Sequence, residues 1–285
     1  MKPYKLTAQR GLSMIELLVA LAISSFLLLG ISQIYLDNKR TQLFQQNQTG
    51  NQENSRFAAL ILNEYLGKAG YRRAPDQLIE EAFPEKSYPG CKQFGKGSAV
   101  SATTDGQGIC LRYQPVVSGE LDCHGNTSPA FTDDIAFKAP PTTSLIVLAI
   151  KYVPATDPKA LNSGTLECSN VAASNPSYVE LITGVADFRL EFGVGSKDLL
   201  EKKLTEGSDR FVSAKTWSEN SGPIRVVRYS LLLASNEGQR DSESLVYSKW
   251  YDSADATTKT RLANGDGNRI YQVAHATQTI RNLMP

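Results

Sequence analysis

The chain has 285 residues, enough for one large domain or two small ones, and its 41% hydrophobic and 8% aromatic content suits a folded protein with a real core. Lysine and arginine total 30 against 29 acids, a net charge of +1. That balance carries no electrostatic footprint for a polyanion, so no nucleic-acid partner is expected.

Residues 1–11, MKPYKLTAQRG, are polar and made basic by Lys2, Lys5 and Arg10. An apolar run occupies 12–36, and 17–36 contains no charged residue. Such a stretch rises roughly 30 Å as a helix, the thickness of a bilayer core. Positive charge ahead of it favours keeping the N-terminus cytoplasmic and exporting the rest. A secretory signal has a shorter apolar core with a cleavage site behind it, and here Ser24 and Ser25 are embedded in the run. An uncleaved anchor accounts for the length but not for Glu16. A carboxylate in such a segment costs about 2.5–3.5 kcal/mol at bilayer centre and less near the interface, so it calls for a partner. Cleavage between Gly11 and Leu12 would free an amine at Leu12 about one helical turn from Glu16. The first helical turn also tolerates an anion through the macrodipole.

The string Arg10-Gly11-Leu12-Ser13-Met14-Ile15-Glu16 resembles the type IV prepilin signal: a basic leader ending in Gly, an apolar residue, then Glu at the fifth mature position. Leu12 stands where Phe is commonest in that family. The resemblance implies that Gly11 is read by a prepilin peptidase, that Leu12 becomes the methylated N-terminus, and that Glu16 pairs with a neighbouring subunit's amine during assembly.

Positions 37–56 are rich in Asn and Gln, and Gly50 is a weak point where two helices could separate. Ala58, Ile61, Leu62, Tyr65 and Ala69 recur at helical spacing, an amphipathic face to pack on a domain. Gly67, Gly70 and Pro75 are stop signals. The expected organisation is a leader at 1–11, a transmembrane or filament-core helix at 12–36, its amphipathic continuation at 37–70, and an exported β-rich domain at 71–285.

Residues 71–140 are loop-rich in proline and glycine and hold three of the four cysteines, Cys91, Cys110 and Cys123; Cys168 follows. None forms a CxxC pair, and the adjacent Cys123 and His124 lack zinc-ligand spacing, so no metal is expected. In an exported domain four spaced cysteines suit two disulfides with three possible connectivities, free buried thiols being the alternative. Nearest-neighbour closure pairs Cys91 with Cys110 and Cys123 with Cys168. Strands are expected at 107–113, 144–153, 178–183, 185–192 and 224–233, with 245–247 and 270–273 completing one antiparallel sheet. A helix at 226–233 is disfavoured by its β-branched start. The fold class is therefore α+β, a long N-terminal hydrophobic helix packed on an antiparallel sheet domain with disulfide-stapled loops.

Segments 69–72 (AGYR), 108–113 (GICLRY), 185–192, 226–233 and 280–282 (IRN) are similar to PilW-type minor pilins, themselves similar to the J-type pseudopilins of type II secretion. That resemblance implies a subunit at or near a pilus tip that primes assembly. Implied partners are other minor pilins, a major pilin, a large tip adhesin, the inner membrane and the peptidase. A J-type pseudopilin, or an uncleaved membrane-anchored receptor or adhesin, are the alternatives.

Chemistry of catalysis has little to stand on. His124 and His275 sit in no catalytic pattern, and GxSxG, HExxH, Walker A and GxGxxG strings do not occur. Asp133-Asp134 and Glu80-Glu81 read as solvated faces, and Arg72-Arg73, Arg225 and Arg228 as surface charge. The run 264–268, NGDGN, lacks the ligand series of a calcium loop and reads as a hairpin turn. No enzyme activity and no cofactor are expected.

Overall fold

A computed structural model describes residues 13–195 and 210–283. It divides into two compact units, Met1–Gln46 and Asn47–Pro285. Helix α1, Met14–Lys68, contributes to both and passes through Gly50 without a break. A single interior glycine costs a helix about 1 kcal/mol, which a ladder of this length absorbs. In the first unit the large apolar side chains of α1 from Met14 to Leu36 are all exposed, and the helix is long and apolar enough to cross a membrane.

In the second unit α1 buries a stripe made of Asn51, Ala58, Leu62 and Leu66. Ile61 and Tyr65, expected on that face, are half-buried at its margin, and Leu66 takes the central place. Leucines buried this fully contribute about 1.5–3 kcal/mol each. Polar stitches fix the register: Asn51 Nδ2 donates to the carbonyl of Ile270 at 2.9 Å, and the Tyr229 hydroxyl donates to Asn63 Oδ1 at 3.2 Å.

A short helix, α2 (Ile79–Ala82), precedes the first sheet. That sheet joins β1 (Val100–Ala102), β2 (Gly108–Tyr113), β3 (Ile146–Val153), β4 (Thr165–Asn170) and β5 (Val179–Thr183) in chain order, all antiparallel. A second antiparallel sheet runs β7–β6–β8–β9, from β6 (Val185–Val194), β7 (Arg210–Ser213), β8 (Ile224–Gly238) and β9 (Arg269–Thr279).

The expectation of one sheet is thus corrected to two. Gly184 separates β5 from β6 by a single residue, and its φ of +78° is the left-handed conformation that glycine adopts without strain. The backbone bends there and leaves one sheet for the other.

One continuous core joins Leu62 and Leu66 of α1 to Leu111 and Ile150 of the first sheet and to Phe192 and Tyr229 of the second. Strand β8 shows how its opposite face is covered. Val227, Tyr229, Leu231 and Leu233 point into that core, whereas Leu232 and Ala234 join a smaller cluster with Leu161, Trp250, Leu262 and Tyr271.

The smaller cluster lies under two helices, α3 (Leu245–Asp252) and α4 (Ala256–Leu262). Residues 245–247 are therefore helical, not a strand. Ser244 caps the helix by accepting from the Tyr247 N–H at 3.2 Å, and Tyr247 and Trp250 share its buried face. A three-residue apolar run reads equally as either period, and Trp250 resolves it only at i+3. Asp255 caps α4 through the Thr258 N–H at 2.9 Å. Residues 264–268 are likewise not a hairpin: they turn the chain from α4 into β9, with Gly267 and Asn268 both at φ +52°.

Candidate functional site

Helix α1 begins at a Ser-x-x-Glu spacing, and the geometry matches it. Ser13 offers its carbonyl to the Leu17 N–H at 3.2 Å, the first bond of the ladder. The Ser13 N–H in turn donates to Glu16 Oε2 at 3.3 Å. This is the reciprocal half of a capping box, in which a glutamate one turn in satisfies an orphan donor at the helix start. Glu16 is the only charged residue between Ser13 and Leu36. Around it Met14, Ile15, Leu17, Leu18 and Val19 are exposed among the described residues, so the carboxylate sits in an apolar surface. Gly11 and Leu12, expected to flank the scissile bond, lie outside the described residues.

The other end of α1 is closed by Asn282. Asn282 Nδ2 donates to the carbonyls of Gly67 at 2.8 Å and Ala69 at 3.1 Å, satisfying acceptors that a helix terminus leaves open. Gly70 reverses the chain at φ +75° and donates its N–H to the Arg112 carbonyl at 3.0 Å. A side chain at Gly70 would meet Leu283 Cδ2 at 2.8 Å. Segments 69–72, 108–113 and 280–282, far apart in sequence, are thus one joint.

Arg112 organises the loops beside that joint. Fully buried on β2, it donates to the carbonyls of Ser98, Pro84, Phe83 and Gly95 at 2.7–3.2 Å. It also lies 4.7 Å from the ring of Phe94. Burial lowers its pKa to about 10. The sequence signalled a strand at 107–113 but not this buried cation, because its partners are carbonyls of a loop lacking any recognisable pattern.

Disulfides Cys91–Cys110 and Cys123–Cys168 tie the loop-rich region to the first sheet, with Cα–Cα separations of 6.0 and 6.3 Å. The first anchors a loop to β2, the second to β4. Closing loops in a weakly cored region removes entropy from the unfolded chain.

A cleft of about 620 Å³ opens between β6, α3, α4 and the turn at Gly106 and Gln107. At its floor Asp187 is buried, accepting from Trp250 Nε1 at 2.7 Å and pairing with Arg261. Burial pushes the Asp187 carboxyl above the usual range, and Arg261 is the chief opposing influence. Arg261 also donates to the Ala186 carbonyl at 2.7 Å and to the Tyr152 hydroxyl at 3.0 Å. At the rim Asp255 meets the Thr258 N–H and Lys215 Nζ, both at 2.9 Å, which hold its pKa down at about 2. These carboxylates bind the two helices to the sheets.

The remaining sequence candidates are likewise engaged in structure. Asp122 accepts the His124 backbone N–H at 2.8 Å in a turn, and His275 stands opposite Ser230 on β9. Arg73 donates to the carbonyl of Asp133 at 2.8 Å, and Arg72 to that of Gln77. Arg228 pairs with Glu191 at 2.8 Å, while Arg225, expected as surface charge, is instead buried. Asp134 and Glu81 are exposed and Glu80 is half-buried.

Two family models match. Residues 151–282 match the one described as type IV pilus-assembly protein W, and residues 6–32 the prokaryotic N-terminal methylation motif. The first takes in β4 to β9 and Asn282; the second takes in Gly11, Leu12 and Glu16. Among solved structures the chain is similar to a type IV-like pilin from Thermus thermophilus, at 11% identity and a TM-score of 0.38, over 82% of this chain and 98% of that one. No curated protein sequence matches.

Proposed function

We propose that this chain, a type IV pilus minor pilin of the PilW type, is cut between Gly11 and Leu12, methylated at Leu12, and drawn into a filament where Glu16 pairs with a neighbouring subunit's amine. The observation that carries this reading is the solitary carboxylate on an exposed apolar helix. From Met14 to Leu36 the large apolar side chains of α1 are exposed among the described residues, and Glu16 is the one charge in that stretch of sequence. Lipid covers such a helix before assembly, and neighbouring pilin helices replace it afterwards. Apolar packing alone does not choose between registers. A carboxylate and an amine do, because only one stagger spares both an unpaired charge in an apolar environment.

The anchor resides in the inner membrane, with the β-rich domain on the periplasmic side until it leaves with the pilus. The PilW-type likeness supports a role in priming assembly and a place at or near the tip, beside other minor pilins and a large adhesin. The chain works by packing and not by catalysis. In keeping with that, Asp187 in the cleft has its carboxylate engaged by Arg261 and Trp250.

The variant Glu16→Ala tests the assembly role. It is expected to be processed normally and to be missing from sheared pili, measured by immunoblot against the wild-type subunit. Wild-type amounts of the variant in the pili would refute the role.

A further inference from the structure

We infer that the cleft beside β6 is a docking site for an extended, uncharged peptide segment of another protein, which adds to β6 as a short strand where β7 stops. Strand β6 is paired with β8 from Val185 to Val194, but with β7 only from Glu191 to Val194. Just short of that pairing the Leu190 carbonyl still accepts the Ala214 N–H at 2.9 Å. The chain then turns away, the Trp217 N–H closing on the Ser213 carbonyl at 2.9 Å. At the far end of the gap the Ala186 carbonyl is taken by the Tyr152 hydroxyl and by Arg261, both at 2.7 Å. Backbone groups along a strand alternate in direction, so the Phe188 carbonyl points the same way as that of Leu190. Phe188 lines the cleft, and among the described residues no side chain or loop amide donates to its carbonyl. An open edge of this kind is a template for another strand, and Ala186 to Leu190 spans roughly 13 Å of it.

The cleft gives that edge about 620 Å³ of room. One end is closed where Gly106 meets Lys215, so closely that a Cβ on Gly106 would stand 2.5 Å from Lys215 Cα. The charges around the space are paired with one another: Asp187 with Arg261, Asp255 with Lys215, and Glu191 with Arg228. Arg189 stacks on the Trp250 ring at 4.0 Å. Gln107, Ser213, Ser230 and Thr257, which also line the cleft, are neutral hydrogen-bonding groups. A charged guest would lose water without meeting a free counter-charge, whereas an uncharged main chain finds an acceptor at Phe188 and amide and hydroxyl partners along the wall.

The test uses random hexapeptides displayed on phage as the probe. They are selected on the detergent-solubilised full chain and counter-selected on Gln107→Trp and Thr257→Trp, whose indoles fill the cleft from opposite walls. Unchanged denaturant midpoints show that the variants keep the fold. Selected sequences are expected to be uncharged over about four successive positions, the reach of the gap, and to bind either variant about tenfold more weakly. N-methylation of one backbone amide, the donor opposite Phe188, is expected to weaken a selected peptide about tenfold, with little effect at its two neighbours. A library that yields no sequence preferring the wild type over both variants would overturn the proposal, as would peptides indifferent to methylation at every amide. Retention of maltohexaose or chitohexaose in the same cleft, with no peptide selected, would overturn it in favour of a sugar. None of these outcomes bears on the role of Glu16.

Discussion

Glu16 and Asp187 both have apolar surroundings, the first on an exposed helix face and the second in a buried cluster. Glu16 lies on an apolar helix face that is exposed among the described residues, and there it accepts from the Ser13 N–H. Asp187 is buried inside the second unit, and Arg261, Trp250 and Arg189 surround it. The first was legible in the sequence, because one charge interrupting a 25-residue apolar run (12–36) is conspicuous and costly. The second was not, because Asp187 and Arg261 are 74 positions apart and no periodicity links them.

The Asp187 pair yields a prediction at this scale. Arg261→Gln strands a buried carboxylate and is expected to destabilise the protein by about 3 kcal/mol at neutral pH. A carboxyl whose folded pKa lies above its unfolded value favours the folded state while protonated and opposes it once ionised. Removing the cation raises that pKa further. The deficit relative to wild type should therefore be largest at neutral pH and shrink in mild acid as Asp187 takes up a proton. Urea unfolding of both proteins at the two pH values checks it; a deficit that does not change with pH would contradict the assignment.

Among the elements, α1 shows what local signals can and cannot say. Its apolar first part and its helical repeat at 58–69 were plain, yet the buried position of Asn51 depends on a carbonyl of β9 that no local pattern announces. Gly70 was readable as a stop. Its fuller role, a reversal sealed by Leu283 and beside Asn282, needed residues 282 and 283 brought to the helix end. Strand β4 and the far half of β9 escaped notice because polar residues interrupt their alternation. Helices α3 and α4 escaped because their caps, Ser244 and Asp255, lie outside any long apolar repeat.

The joint itself can be tested. Gly70→Ala imposes a left-handed conformation on a residue with a Cβ and drives that atom against Leu283, and should cost roughly 2 kcal/mol or more. Asn282→Ala, which only uncaps the helix, should cost about 1 kcal/mol. Denaturant midpoints with unchanged slopes would report both, and equal losses from the two variants would argue against the close approach.

At the scale of the molecule, the α+β class and a long helix on antiparallel strands were readable from two hydrophobic periods, whereas the division into two sheets was not. That division turns on the backbone conformation of Gly184, and a glycine between two strands is equally compatible with a hairpin. The cysteine pairing in the structure, Cys91–Cys110 and Cys123–Cys168, is the nearest-neighbour one. Spacing alone left three connectivities open, and β3, lying between the strands that carry Cys110 and Cys168, removes the one that would join those two directly. The family-model matches at 6–32 and 151–282 fall on the start of α1 and on the stretch from the end of β3 through β9.

The whole account turns on a new amine being made beside Glu16. Intact mass and N-terminal sequencing of the protein isolated from piliated cells of its native host measure that directly. A chain that begins at Leu12 and carries one methyl group on its α-amine is the predicted result. A mature protein still bearing residues 1–11, in cells whose peptidase is active, would contradict it.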